Sequence, residues 1–229
     1  MKILLFDIDG TLVYTGGAGM RGMTRAFEEI FGVPDALKGL TLAGMTDPGI
    51  FKNACQKAGI EYTDALHEQF KQRYLACLKE EIERPAPGKQ VLPGVRQLFD
   101  ILKDRSGVYT GLLTGNYQQG ARIKLGHFNL NEFFSFGAFG DDHCDRNRLL
   151  PFALERFQKV FGRPANGTTV YVIGDTPRDV ACARPYGAKS IAVATGDYSE
   201  AELQAAGADW VLKDLNEIEK FLSALSNGV

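Results

Sequence analysis

Residues 3–12 read ILLFDIDGTL, an apolar run from Ile3 to Ile8 that is broken only by Asp7 and followed by Asp9, Gly10 and Thr11. A short, almost uniformly apolar run is the signature of a strand buried on both faces of a parallel sheet. Side chains two apart on a strand share a face. Asp7 and Asp9 are therefore expected to project together from the carboxyl end of the strand, where open parallel sheets bind ligands. Two carboxylates held this close repel, and keeping both ionised in a partly buried place costs free energy unless a cation or a shared proton compensates. A hard divalent cation such as Mg²⁺ meets that need with oxygen ligands. Gly10 lets the backbone turn and approach a ligand closely. Taken alone, the segment also fits a strand-ending turn capped by carboxylates.

Working outward, apolar runs recur at 109–113, 169–173 and 190–194, with a shorter edge-strand candidate at 210–212 and an aromatic run at 133–139 that reads as a short strand after a turn. Helical patterns at 95–103, 117–125, 149–161 and 179–186 lie between them. Strands alternating with helices predict an α/β domain with crossover connections. Residues 19–83 break this rhythm, showing helical patterns and no strand. Their clearest helix is 65–82, where Leu66, Phe70, Tyr74, Leu78 and Ile82 fall four apart. That apolar stripe predicts helix packing rather than a cofactor site. Gly16–Gly19 on one side and the Pro/Gly-rich stretch 84–94 on the other read as flexible connections. The expected organisation is a core of residues 1–15 and 91–229 with an all-helical insertion at 16–90, hinged so that it can open and close. Ser199 and Glu202 form a capping-box pattern, and Gly207 is expected to end that helix.

Two further strand ends carry chemistry. In Val172-Ile173-Gly174-Asp175-Thr176-Pro177-Arg178-Asp179, Asp175 stands at the end of an apolar strand and Asp179 near the start of the next helix. Were the two strands neighbours, Asp175 would complete a cation site with Asp7 and Asp9, with Asp179 either capping the helix or supporting that site. The run Leu112-Leu113-Thr114-Gly115-Asn116 adds a hydroxyl and free backbone N–H groups ahead of a helix, a setting that favours an anion. Between these strands, Asp145-Arg146-Asn147-Arg148 offers two arginines to neutralise a phosphate.

The remaining composition narrows the classes. A net charge of -2 gives no basic field for nucleic acid or an anionic membrane. The four cysteines, Cys55, Cys77, Cys144 and Cys182, form no CxxC pair, which argues against a zinc or redox motif. The N-terminal apolar stretch is too short for a secretory signal, and no run approaches the roughly 18 residues of a membrane span. A cytoplasmic protein without nucleic-acid or membrane partners, a monomer or homodimer, is expected. His67, His127 and His143 show no triad or metal spacing.

Taken in order, DIDGTL, a helical insertion, LLTGN, a basic segment and GDTPRD resemble the haloacid dehalogenase superfamily, in its phosphatase branch with a helical cap. The resemblance implies a Rossmann-like parallel-sheet core, a phosphoaspartyl intermediate and a small phosphorylated metabolite as the partner. It implies that Asp7 is the nucleophile and that Asp9 is the general acid and base. Thr114 would bond the transferring phosphoryl group, with Gly10, Gly115 and Asn116 around it. Mg²⁺ would be held by Asp7, the backbone carbonyl of Asp9 and Asp175, with Asp179 in support. The basic segment departs from the family pattern, which commonly has Lys followed by Pro where this chain reads DRNRLLP. Arg146 is the favoured replacement because it lies nearer the loop, and an arginine grips phosphate bidentately. Asp9 points to phosphate esters, since dehalogenases and phosphonoacetaldehyde hydrolases of the superfamily lack it. Small phosphatases similar to this chain include the phosphoglycolate phosphatases. The alternatives are a sugar-phosphate mutase similar to β-phosphoglucomutase and a non-catalytic binder of a phosphorylated ligand. Arg21, Thr46 and Asp47 are the insertion's candidates for specificity.

Overall fold

A computed structural model describes residues 1–226. β1 (Lys2–Phe6) lies at the centre of a six-stranded sheet ordered β5-β4-β1-β6-β7-β8, in which every pairing is parallel. The other strands are β4 (Val108–Leu113), β5 (Gly137–Ala138), β6 (Thr169–Gly174), β7 (Lys189–Val193) and β8 (Trp210–Leu212). Ile3, Leu4, Leu5 and Phe6 are fully buried, which explains the absence of any polar alternation in β1. Phe6 aligns with Leu112 of β4 on one side and Ile173 of β6 on the other. The chain leaves β1 toward β4 and β5, then returns to β1's other edge with β6. This reversal makes the crevice at the carboxyl ends of β4, β1 and β6 the expected binding place in an open sheet.

Helices α4 (Val95–Leu102), α5 (Gln118–His127), α6 (Leu150–Phe161), α7 (Pro177–Ala183), α8 (Glu200–Ala205) and α9 (Ile218–Ser226) accompany this sheet. α7 starts two residues before the expected boundary. Thr176 is its N-cap and Asp179 its N3 residue, so the aspartate closes a capping box rather than capping the helix itself. The Ser199–Glu202 capping box forms as expected.

The insertion contributes α1 (Ala18–Phe31), α2 (Asp47–Ala58) and α3 (Asp64–Glu83). Its apolar cluster is separate from that of the sheet and includes Phe27, Phe51, Phe70, Tyr74 and Leu78. The Phe51 and Phe70 rings stack with centroids 4.4 Å apart. Each buried phenylalanine contributes about 1.5–3 kcal/mol, enough for three short helices to hold a common core. Tyr117, at the head of α5, joins the same cluster. The connections are more ordered than Gly/Pro composition predicts. β2 (Val13–Tyr14) and β3 (Gln90–Val91) pair antiparallel, tying the way into the helices to the way out. Strands of two residues are too short to leave a period in the sequence.

Candidate active site

Asp7 follows β1, Thr114 follows β4 and Asp175 follows β6, so three strand ends supply one floor. The backbone N–H of Asp7 donates to Ile173 O at 2.9 Å, extending the ladder to the carboxylate itself. Thr114 is fully buried beside Asp7, and its hydroxyl accepts from the Asn116 side chain at 2.9 Å. Thr11 donates to Asp175 Oδ1 at 2.9 Å. Gly10, at φ +77°, passes so close that a Cβ there would stand 2.3 Å from Asp175 Oδ2, and one on Gly196 would stand 1.8 Å from it. Only glycine fits either place.

The chain reaches the floor with a second layer of charge. Arg146 begins a 3₁₀ turn at Arg146–Arg148, is buried, and places Nη2 3.3 Å from Asp7 Oδ2 and against Asp179 Oδ1. Its Nη1 donates to Gly44 O at 3.4 Å, while its buried Nε has no partner. Arg148 is exposed on the same turn. Asp179 also accepts from the N–H and hydroxyl of Thr176 at 3.0 and 2.7 Å, so both its oxygens are engaged. Burial pushes the Asp7 carboxyl up to about 6, with Arg146 pulling the other way. Burial, then Asp179 and Asp7, push Asp175 well above the carboxylate range. Such crowding is what a cation relieves.

One member of the site was not anticipated. Lys124 lies on the buried stripe of α5 with Ala121 and Leu125, and its ammonium sits 2.6 Å from both Asp9 Oδ2 and Asn116 Oδ1. The signal was present in the sequence. A lysine on an apolar helical stripe has to find a counter-charge. Burial opposes its charged form, but Asp9 and Asp47 raise it above the ordinary value. Asp9 thus faces the cavity with its side chain 43% exposed, oriented by Lys124 and by Asn116 Nδ2 at 2.9 Å.

The insertion closes the far side. Residues 44–47 dock on the core, with the Asp47 N–H donating to Gly115 O at 2.7 Å and the Tyr117 N–H to Asp47 Oδ2 at 2.8 Å. A Cβ on Gly115 would stand 2.1 Å from Met45 O, so this glycine serves the close approach of the two segments. Thr46 caps α2 and donates to Cys144 O at 2.6 Å; it is a docking contact and not part of the cavity wall. Arg21 is not brought to the cavity either, since it pairs with Glu81 at 2.9 Å and donates to Gly16 O. His67 bonds the Tyr117 hydroxyl at 2.7 Å within the insertion's aromatic cluster. The cleft between them measures about 350 Å³ and is lined by residues of both the core and the insertion.

Among the described residues, carboxylate oxygens of Asp7, Asp175 and Asp179 converge to within 4.8 Å of one another. Buried, oxygen-only donors without histidine or cysteine suit a hard divalent cation. The Asp9 carboxylate is not in that group, being turned to Lys124. Residues 4–184 match the haloacid dehalogenase-like hydrolases. The chain belongs to that family. Members generally use a divalent metal, and the aspartate cluster is able to hold one. The chain is 28% identical over 153 residues to a phosphoglycolate phosphatase of Synechococcus elongatus, covering 67% of this chain and 69% of that protein. It is 26% identical over 227 residues to a phosphoglycolate phosphatase of Rhodospirillum rubrum, covering 96% and 90%. The solved structure of a hydrolase from Pseudomonas syringae superposes with a TM-score of 0.68 at 21% identity, covering 98% of this chain and 99% of that one; it shares the fold. No helix among the described residues is long and apolar enough to cross a membrane.

Proposed function

We propose that this family member is a Mg²⁺-dependent phosphatase of small phosphate monoesters that works through a phosphoaspartyl intermediate on Asp7. The observation that carries the reading is the placement of two carboxylates with different surroundings. Asp7 lies on the buried floor between Thr114, Arg146 and Asp175, whereas Asp9 stands half-open toward the cavity. In the first step an Asp7 oxygen attacks phosphorus, the ester P–O bond breaks, and Asp9 gives its proton to the leaving oxygen. In the second, Asp9 takes a proton from a water that attacks the same phosphorus, releasing phosphate and restoring the Asp7 carboxylate. Thr114 and the Arg146 guanidinium, whose Nη2 stands 3.3 Å from Asp7 Oδ2, supply donors for the phosphoryl oxygens. Asn116 and Lys124 hold Asp9 in place for both proton transfers. Mg²⁺ held by Asp7, the Asp9 carbonyl and Asp175 would offset the negative charge brought together there.

The helical insertion, with its paired connections, serves as the cap over this site. Two curated relatives act as phosphoglycolate phosphatases by name, so phosphoglycolate belongs among the substrates tested. The decisive experiment measures phosphate release from an aryl phosphate with and without Mg²⁺, in the wild type and in Asp7→Asn. We expect Asp7→Asn to lose at least about 10³-fold in turnover while its thermal unfolding stays cooperative. Retained turnover would remove Asp7 from the nucleophile's role. Isomerised sugar phosphate appearing without free phosphate would favour a mutase.

A further inference from the structure

The half of the cavity that receives the leaving group has a chemistry unlike the half that receives phosphate. Met20, Met23, Leu42, Met45 and Ile50 line it, so three of the chain's four methionines face one cavity. Methionine is unbranched and polarisable, and it conforms to apolar surfaces of varied shape. A volume of about 350 Å³ lies within the range of small-molecule sites, about 300–1,000 Å³.

The charges on the wall are committed elsewhere. Asp7, Asp9, Asp47, Asp175 and Asp197 line the cavity against only two cations, Lys124 and Arg146. Arg146 is held by Asp179 and Asp7, and Lys124 by Asp9, with Asp47 alongside. Arg21 is paired with Glu81, and neither it nor Arg178 is among the lining residues. A substrate carboxylate arriving here would give up part of its water with no uncommitted cation among the lining residues to meet it, which weakens its binding. The polar groups that remain suit a neutral partner. Tyr74 belongs to the wall, and its buried hydroxyl has no hydrogen-bond partner.

We propose that the natural leaving group is a small, largely apolar alcohol without a second anionic group, held by the methionine-lined wall with at most a neutral polar group near Tyr74 and Asp47. The inference rests on the phosphatase reading and narrows it, because it places acidic esters, phosphoglycolate included, among the poor substrates.

The test compares kcat/KM for matched esters with Mg²⁺ present: isopentyl phosphate, 2-hydroxyethyl phosphate and phosphoglycolate, with an aryl phosphate as reference. The last two of the matched set differ in exchanging a neutral CH₂OH for a carboxylate. The expected order is isopentyl, then hydroxyethyl, then phosphoglycolate, with the first exceeding the last by about tenfold or more. Phosphoglycolate equal to or ahead of its hydroxyethyl match, with the aryl phosphate also turned over, would overturn this inference and leave the phosphatase reading standing. No release from any ester would overturn both. Assayed at pH 8, above the Asp47 titration, Asp47→Asn removes one negative charge beside Lys124 and should raise the phosphoglycolate-to-hydroxyethyl ratio about fivefold. An unchanged ratio would overturn the charge argument.

Discussion

The two walls of the cavity are built on different principles. The sheet-end wall is polar and tightly paired. Asp7, Thr114, Arg146, Asp175 and Asp179 each have partners fixed by a strand end or a helix start. The insertion's wall is mostly apolar and meets the core through a few contacts along residues 44–47. Reacting atoms need placement that rigid strands provide, whereas a wall that must admit and release substrate is better joined by contacts that break singly. Arg146 is the exception, because it touches Asp7 and Asp179 on one wall and Gly44 O on the other. In the proposed mechanism, docking of the insertion and neutralisation of the phosphoryl group therefore meet in one guanidinium.

The strongest way to break this comparison is at Arg146. Arg146→Ala should lower kcat/KM for an aryl phosphate by about 100-fold or more, since it removes a charge-assisted donor and strands two buried carboxylates. Arg146→Lys keeps the charge but not the fork. It should hold the pairing with Asp179, lose the bond to Gly44 O, and fall between wild type and alanine. The exposed Arg148→Ala should change kcat/KM by less than about twofold. Steady-state kinetics on the three variants, with melting curves to confirm folding, decide the matter. A larger loss at Arg148 than at Arg146 would hand the phosphate-facing role to the wrong side of the turn.

The same contrast explains what the sequence revealed. The sheet wall is legible because Asp7, Asp9 and Asp175 stand at the ends of apolar runs, within DIDGTL and GDTPRD. Strand positions followed from runs of buried residues, and Phe6 aligns with Leu112 and Ile173 as neighbouring strands require. The insertion's wall was not legible. Met20, Met45 and Ile50 come from different turns and helices, and no period marks which apolar residues face a cavity rather than a core. Arg21 illustrates the difficulty, since it is a candidate for specificity in the sequence and its side chain pairs with Glu81 instead. The ribbon of β2 and β3 left no trace because each strand has only two residues. Lys124 was readable, but only by asking why a lysine shares a stripe with Ala121 and Leu125.

Lys124 offers a finer probe of how the walls cooperate, because it reaches Asp9 and Asn116 from α5 and lies near Asp47. Lys124→Met keeps most of the side-chain volume and deletes the ammonium. It should lower kcat about 10- to 100-fold while KM for an aryl phosphate moves little, as expected for a residue that positions the acid and base. A rise in KM with kcat intact would instead assign Lys124 to ground-state binding of the substrate.

The smallest expected effect is thermal and concerns Asp47, where the sheet and the insertion share a carboxylate. Burial raises its pKa to about 7 in the folded chain, whereas an unfolded chain releases that proton near 3.9. Between these values the folded state binds more protons than the unfolded one, so the contribution of Asp47 to stability falls as pH rises through the window and levels off above it. Asparagine does not titrate, and its side-chain oxygen still accepts from the Tyr117 N–H. Asp47→Asn should therefore gain on the wild type as pH rises from 5 to 8, by on the order of 2 kcal/mol, or roughly 5 °C in Tm for a chain of this size. Melting curves of the pair at the two pH values measure this directly. A difference in Tm that is the same at both would mean that Lys124 keeps Asp47 ionised throughout, and the insertion's wall would then be less starved of positive charge than its residues imply.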